Sequence, residues 1–135
     1  MNDRQAVLFA NEAFYSAFAR ADLQAMDALW AREGPVTCIH PGWDALTTRQ
    51  AVIASWREIF SGGDTSSIAF YGAQPHLLGD IALVICYEKL PSVVLVATNV
   101  FRRDGRSWQI VHHQAGRVNS PPPEAPPPGA APRPS

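Results

Sequence analysis

His113 is the residue of this chain whose type and setting best suit proton transfer. An imidazole inside a pocket can serve as acid or base near neutral pH. It sits in an extended run, SWQIVHHQAGRV, beside His112. Successive strand residues point to opposite faces, so His112 belongs on the convex side, at a subunit contact. The other reading of His113 is a hydrogen-bonded histidine of the sheet. Two adjacent histidines cannot ligate one ion from one face, and no His-x-His spacing occurs. His40 could converge with His113, but no carboxylate has convincing spacing, so no metal is expected. His40 closes VTCIH and leads into Pro41-Gly42-Trp43. It could line a pocket mouth or satisfy loop backbone, and Trp43 could be a lid or an interface anchor. Trp56 and Tyr87 are further candidate walls. Glu88 and Asn99 are polar groups inside otherwise apolar strands, where buried polar atoms need partners. Glu88-Lys89 at a strand end reads as a charged pair facing solvent. The alternative pairs Glu88 with His112 or His113 and orients a general base. Tyr15 reads as a core aromatic with a wet hydroxyl. Neither Gly-x-Ser-x-Gly nor a glycine-rich phosphate loop is present, and no cofactor is called for.

The elements that must position these groups are legible. Thr98 to Val118 is two strands joined at Asp104-Gly105, a strong hairpin signal because the tight turn needs positive φ. The incoming strand sets Ala97, Asn99 and Phe101 against Thr98, Val100 and Arg102. The outgoing strand sets Trp108, Ile110, His112 and Gln114 against Gln109, Val111, His113 and Ala115. Polar groups among apolar ones on each face fit a curved sheet lining a pocket. Upstream, residues 3–20 carry Val7, Ala10, Phe14 and Phe18 at helical spacing. Asp22 can cap a second helix with Leu23, Met26, Leu29 and Trp30 inside, ended by Gly34-Pro35. Val36 to His40 is a short strand. Thr47 and Gln50 make a capping box for a third helix bearing Val52, Ile53, Trp56, Ile59 and Phe60. Ser67–Leu78 is extended, and Pro75 marks a bulge or an edge. Ile81–Leu90 and Val93–Arg103 complete the meander. Helices followed by strands, α-α-β-α-β-β-β-β, make an α+β fold with helices on one face of a mostly antiparallel sheet.

Size and composition narrow the function. Of 135 residues, 119–135 hold eight prolines and no apolar period, a disordered proline-rich tail. Residues 1–118 suffice for one domain with a real core. Net charge is −1 with signs mixed, which argues against nucleic acid. Arg102, Arg103 and Arg106 read as a solvated hairpin tip. No run suits a membrane helix and no signal core opens the chain. Cys38 and Cys86 lack Cys-x-x-Cys spacing and read as buried thiols of a cytoplasmic protein.

VTCIHPGW, PHLLGD and FRRDGRSWQIVHHQAG resemble segments of the nuclear-transport-factor-2-like superfamily, which also hosts SnoaL-like and ketosteroid-isomerase-like proteins. More narrowly they are similar to the association (hub) domain of calcium/calmodulin-dependent protein kinase II and its bacterial stand-alone relatives. The resemblance spans roughly Arg4 to Val118. It implies a cone in which a bent sheet wraps a long helix, dimers formed through the sheet, and in hub domains larger rings. The hub's carboxylate-binding histidine falls at Trp56 here, and its arginines fall at Lys89, Asn99 and Ala115. The arginine clamp is thus gone, with at most Lys89 left.

The leading expectation is a small-molecule-binding domain, homodimeric, with a mostly apolar conical pocket walled by His40, Trp43, Trp56, Tyr87, Asn99 and His113. The first alternative is an isomerase, cyclase or dehydratase with His113 as base and Tyr15 or Asn99 polarising a carbonyl. No aspartate falls inside an expected strand, with Asp80 and Asp104 read as turn residues and Asp44 and Asp64 as loop residues, which weighs against it. The second alternative is a homo-oligomeric assembly module.

Overall fold

Local signals set where each helix starts. The computed structural model describes residues 1–124. Asn2 caps α1 (Asp3–Ala19) by accepting from the Gln5 backbone, and the Gln5 side chain returns the bond to Asn2. Asp22 caps α2 (Leu23–Leu29), as its position implied. That helix stops well before Gly34-Pro35. Trp30 is already extended and bridges to Ile110, which pins the chain against the sheet. The third helix, α3 (Arg49–Gly62), is capped by Thr48 through the Ala51 backbone. The start expected at Thr47 is one residue early, and no capping box forms because the residue facing back is Ala51.

The strands are β1 (Thr37–Ile39), β2 (Ala69–Leu78), β3 (Ile81–Lys89), β4 (Val94–Asp104) and β5 (Ser107–Arg117). They form one sheet in the order β1-β5-β4-β3-β2, parallel between β1 and β5 and antiparallel elsewhere. This is the expected α+β order. β2 is an edge strand with Pro75, and its register slips between Tyr71 and Gln74, where Gly72 takes φ 67°. Alternate residues of β3 and β4 face the helices: Ala82, Val84, Cys86 and Glu88 from one, Leu95, Ala97, Asn99 and Phe101 from the other.

A second bulge changes β5. Val100 pairs with His112 but Phe101 pairs with Ile110, so Val111 is an extra residue. Its insertion reverses the alternation, and Trp108, Ile110, His113 and Ala115 all face inward. The expected shared face of Val111, His113 and Ala115 is corrected accordingly. Among the described residues no helix is long and apolar enough to cross a membrane. Asn119–Glu124 is outside helix and strand, and 125–135, the rest of the expected proline-rich tail, lie outside the described residues.

Candidate functional site

The concave face of the sheet and two helices bring polar groups together inside an aromatic shell. Phe14 and Phe18 of α1 reach Trp56 of α3, with ring centroids 5.5 and 4.9 Å apart. His113 of β5 lies 5.0 Å from the Phe14 ring and 5.9 Å from Trp56. His40, just after β1, stands edge-on to Trp56 at 4.8 Å and 6.1 Å from His113. Trp56, Asn99 and Phe14 are wholly buried, and His40, His113 and Glu88 nearly so. The interior rings pack directly on one another.

Two polar chains run through this shell. In the first, Ser55 Oγ donates to the Val52 carbonyl at 2.6 Å, so it accepts from His40 Nε2 at 2.9 Å. Burial pushes His40 down to about 4. Cys38 Sγ lies 3.5 Å from that same nitrogen, and burial raises its thiol to about 12, which keeps it unreactive. In the second, Tyr15 donates to Glu88 Oε2 at 2.7 Å. Asn99 Nδ2 donates to Asn11 Oδ1 at 2.9 Å and to Tyr15 Oη at 3.2 Å. His113 Nδ1 is 2.6 Å from Asn99 Oδ1, and its Nε2 is 3.8 Å from Glu88 Oε2.

That last distance falls within ion-pair range, but burial opposes charge on both partners. Desolvation raises Glu88 to about 7, against the hydrogen bond from Tyr15, which lowers it. Desolvation, with His40 and His112 nearby, lowers His113 to about 3. The pair is therefore neutral between about pH 3 and about pH 7, and Glu88 is the group that changes protonation near neutrality. Tyr15 is held protonated, far above its ordinary value, by burial and by Glu88. Its ring stacks on Phe70 at 4.8 Å. Both rings line a surface cavity of about 290 Å³ with Glu12, Ser16, Ala19 and Ile68. One aromatic layer thus lies between that cavity and the Glu88 carboxyl.

The structure brings together four of the six expected wall residues: His40, Trp56, Asn99 and His113. Tyr87 is a correction. It has the opposite parity to Cys86 and Glu88 and stacks on Tyr71 at 5.5 Å on the outer face. Trp43 reaches His40 at 4.9 Å but stays 38% exposed, at the rim. Glu88 is a second correction. It is 2% exposed and points inward, whereas Lys89 points out toward Glu124 at 3.9 Å. The Tyr15 hydroxyl is buried, not wet. His112 does take the outer face, where its Nδ1 meets Thr37 Oγ1 at 2.6 Å. The hairpin arginines are more than a solvated tip. Arg103 bonds Asp3 and Asp80 and covers the Trp108 ring at 4.6 Å, and Arg102 donates to the Glu33 carbonyl. Sequence reasoning passed over Asn11 and Ser55. Each is a small polar residue on the apolar face of its helix, which is the only signal they give. Among the described residues no cluster of three or more His, Cys, Asp or Glu could hold a metal.

Comparisons with known proteins agree with this architecture. A family model described as a SnoaL-like domain matches residues 7–118. A candidate dehydratase of the NTF2-like family from Streptomyces avermitilis is 34% identical, covering 87% of this chain and 97% of that one, with a TM-score of 0.78. A candidate calcium/calmodulin-dependent protein kinase type II association domain from Thiobacillus denitrificans is 33% identical, covering 82% and 93%, with a TM-score of 0.74. The F-box protein SKIP8 of Arabidopsis thaliana is 27% identical over 113 residues, 82% of this chain and 49% of that protein. The chain thus spans about half the length of that curated relative.

Proposed function

Because the chain belongs to the SnoaL-like domain family, we propose that it binds an uncharged, oxygen-bearing small molecule in the cone and moves a proton on it, as an isomerase or dehydratase does. One observation carries this reading. A carboxyl group that titrates near neutrality is buried among aromatic rings, with Tyr15 bonded to it and His113 beside it. Burying a carboxyl this way costs stability, and the packing alone has no use for it. Glu88 takes the acid–base role first expected of His113, because burial leaves His113 a very weak base. Tyr15 is a hydroxyl donor suited to polarising a carbonyl. Among the described residues no lysine or arginine is buried at the site, which favours a neutral ligand. The relative described as a candidate dehydratase supports the reaction class.

A ligand enters by displacing an aromatic layer, and the stacked Tyr15–Phe70 pair borders a surface cavity on one side and the Glu88 carboxyl on the other. The test uses cyclic enones and β-hydroxy ketones in D2O, with deuterium incorporation α to the carbonyl followed by proton NMR. The expected result is exchange by the wild type on at least one probe, reduced about 100-fold or more in Glu88→Gln, the usual scale of general acid–base catalysis. Equal exchange by both proteins sinks the proton-transfer reading.

A second reading has its own observation. The interior is closed to solvent, while the outer face shows Ile85 at 37% exposure beside Val96 and Val100. The likeness to a candidate association domain points the same way. In this reading the sheet face makes a homodimer or a larger ring. Sedimentation of wild type and Ile85→Arg checks it, since a monomer in both removes self-assembly.

A further inference from the structure

We propose that the start of the proline-rich tail is a strap that docks on Tyr71 and Lys89 across the outer face of the sheet and competes there with a second copy of the chain. The strands fix how far the tail must travel. Arg117 at the end of β5 pairs with Leu95, Leu95 with Glu88, and Glu88 with Phe70, the neighbour of Tyr71. Three strand spacings, about 14 Å, separate the end of β5 from β2. Residues 118–122 reach about 15 Å in the polyproline conformation, so only an extended segment spans the gap. Pro121, Pro122 and Pro123 supply that extension, because each ring fixes φ close to the polyproline value. A run of prolines has no N–H with which to join a sheet edge, and its carbonyls stay free for an outside donor. The outer face provides one: the Tyr71 hydroxyl donates to the Pro122 carbonyl at 2.7 Å. Tyr71 stacks on Tyr87 at 5.5 Å with 25° between the rings, which steadies that hydroxyl. Two residues on, Glu124 Oε1 stands 3.9 Å from Lys89 Nζ.

The place of the strap decides what it does. Tyr87 pairs with Val96 and Ile85 with Thr98, and Ile85 is the exposed side chain on which self-assembly was argued. The four long strands run to 10, 9, 11 and 11 residues. At ordinary strand dimensions they present an outer face of roughly 650 Å². A stable dimer needs about 800 Å² from each partner, so a second copy requires the whole face, the strapped end included. Strap and second copy cannot both hold Tyr71 and Tyr87. The strap's own hold is light, one neutral hydrogen bond and one exposed ion pair. It therefore weakens self-association without abolishing it. This deepens the self-assembly reading and rests on it, but the docking itself is measurable in a monomer.

The test changes only the tail, in the full-length chain. Pro121→Gly/Pro122→Gly/Pro123→Gly removes the stiffness of the strap, and Glu124→Arg turns its ion pair into repulsion. Residues 119–124 lie outside helix and strand, so both variants keep the fold and the sheet face intact. The nitrogen-15 heteronuclear NOE of the Ser120 and Glu124 amides reads docking, and sedimentation equilibrium over a concentration series reads the dimer constant. Ordered amides are expected in the wild type and mobile ones in both variants. The glycine variant should dimerise about fivefold more tightly, the effect of one neutral hydrogen bond lost by the strap. Glu124→Arg should move the constant the same way by less. Amides as mobile in the wild type as in the variants overturn the strap. Loosened amides with an unchanged dimer constant overturn the competition and leave the self-assembly reading standing. A weaker dimer in the glycine variant means that the strap reaches across to the second copy, and it overturns the proposal too. Monomers throughout, with the amides loosened, remove the self-assembly reading and the proposal with it.

Discussion

Two polar networks of this molecule invite comparison, one inside the cone and one at the hairpin end of the sheet. Inside, Tyr15, Glu88, Asn99, Asn11 and His113 are neutral groups held at fixed distances with no solvent. At the hairpin, Arg103 joins Asp3 at 2.6 Å and Asp80 at 3.1 Å as full charges at a partly exposed site. The Arg103 charge holds Asp3 below its ordinary value, and both aspartates raise the arginine. Both networks tie α1 to the sheet. The outer one leaves its groups hydrated, so forming it costs little and gains little. The inner one surrenders hydration, so each lost bond is felt, and one of its atoms, Asn11 Nδ2, is already buried without a partner. Expensive interior polarity that the fold could replace with leucine is where function is best sought.

The comparison can be broken most forcefully at the shell. Trp56→Ala should cost about 3–5 kcal/mol, the range for a large buried aromatic, measured as a fall in the urea midpoint. Asn99→Leu strands the His113 Nδ1 and Asn11 Oδ1 partners, and should cost roughly 2–4 kcal/mol by the same measurement. A loss no larger than that of a surface substitution would mean the interior network is not held as described.

The pH dependence sharpens the contrast. His40 and His113 are held at about 4 and about 3 against an ordinary 6.5, so the unfolded chain binds two more protons below 6.5 and stability falls as pH falls. Glu88 is held at about 7 against 4.5, so its stabilising contribution is full below 4.5 and is lost as pH rises toward 7. Between 4.5 and 6.5 the unfolded chain binds one net proton more, and stability should rise with pH by about 1.4 kcal/mol per unit. Maximum stability then lies near pH 6.5. Glu88→Gln leaves only the histidines, so the acid slope should double to about 2.7 kcal/mol per unit. Urea unfolding across this range reads both slopes, and identical slopes would show Glu88 unshifted. The smallest effect belongs to Arg103→Ala. It should lower the midpoint slightly at low salt and not at all in molar salt, because exposed pairs are screened.

Much of the candidate site was readable before any coordinates. The helical period of α3 groups Trp56 with its apolar side and the alternation of β4 groups Asn99 with Ala97 and Phe101, while the resemblance to the hub domain implied that these faces look inward. His113 was placed inside, although the alternation used to place Val111 with it fails at the bulge. That extra residue leaves no mark in IVHH, because both faces of the strand carry apolar and polar groups. Tyr87 was misplaced for a related reason. In IALVICYEKL both parities are apolar, so alternation cannot say which looks inward. Glu88 went astray because a glutamate beside a lysine at a strand end matches a solvent-facing pattern. Its partner, Tyr15, is 73 positions away.

The sequence by itself determined the element order, the hairpin at Asp104-Gly105, the Asp22 cap and the α+β class, and it narrowed Pro75 to a bulge or an edge. All of these rest on local propensity, period and turn chemistry, which act over a few residues. Only the tertiary structure decided which face of β3 is buried, where β5 slips its register, and which polar side chains meet. Those outcomes depend on desolvation and hydrogen-bond satisfaction among residues far apart in the chain. The meeting of Asn11, Tyr15, Glu88, Asn99 and His113 exists only once α1 is laid across the sheet.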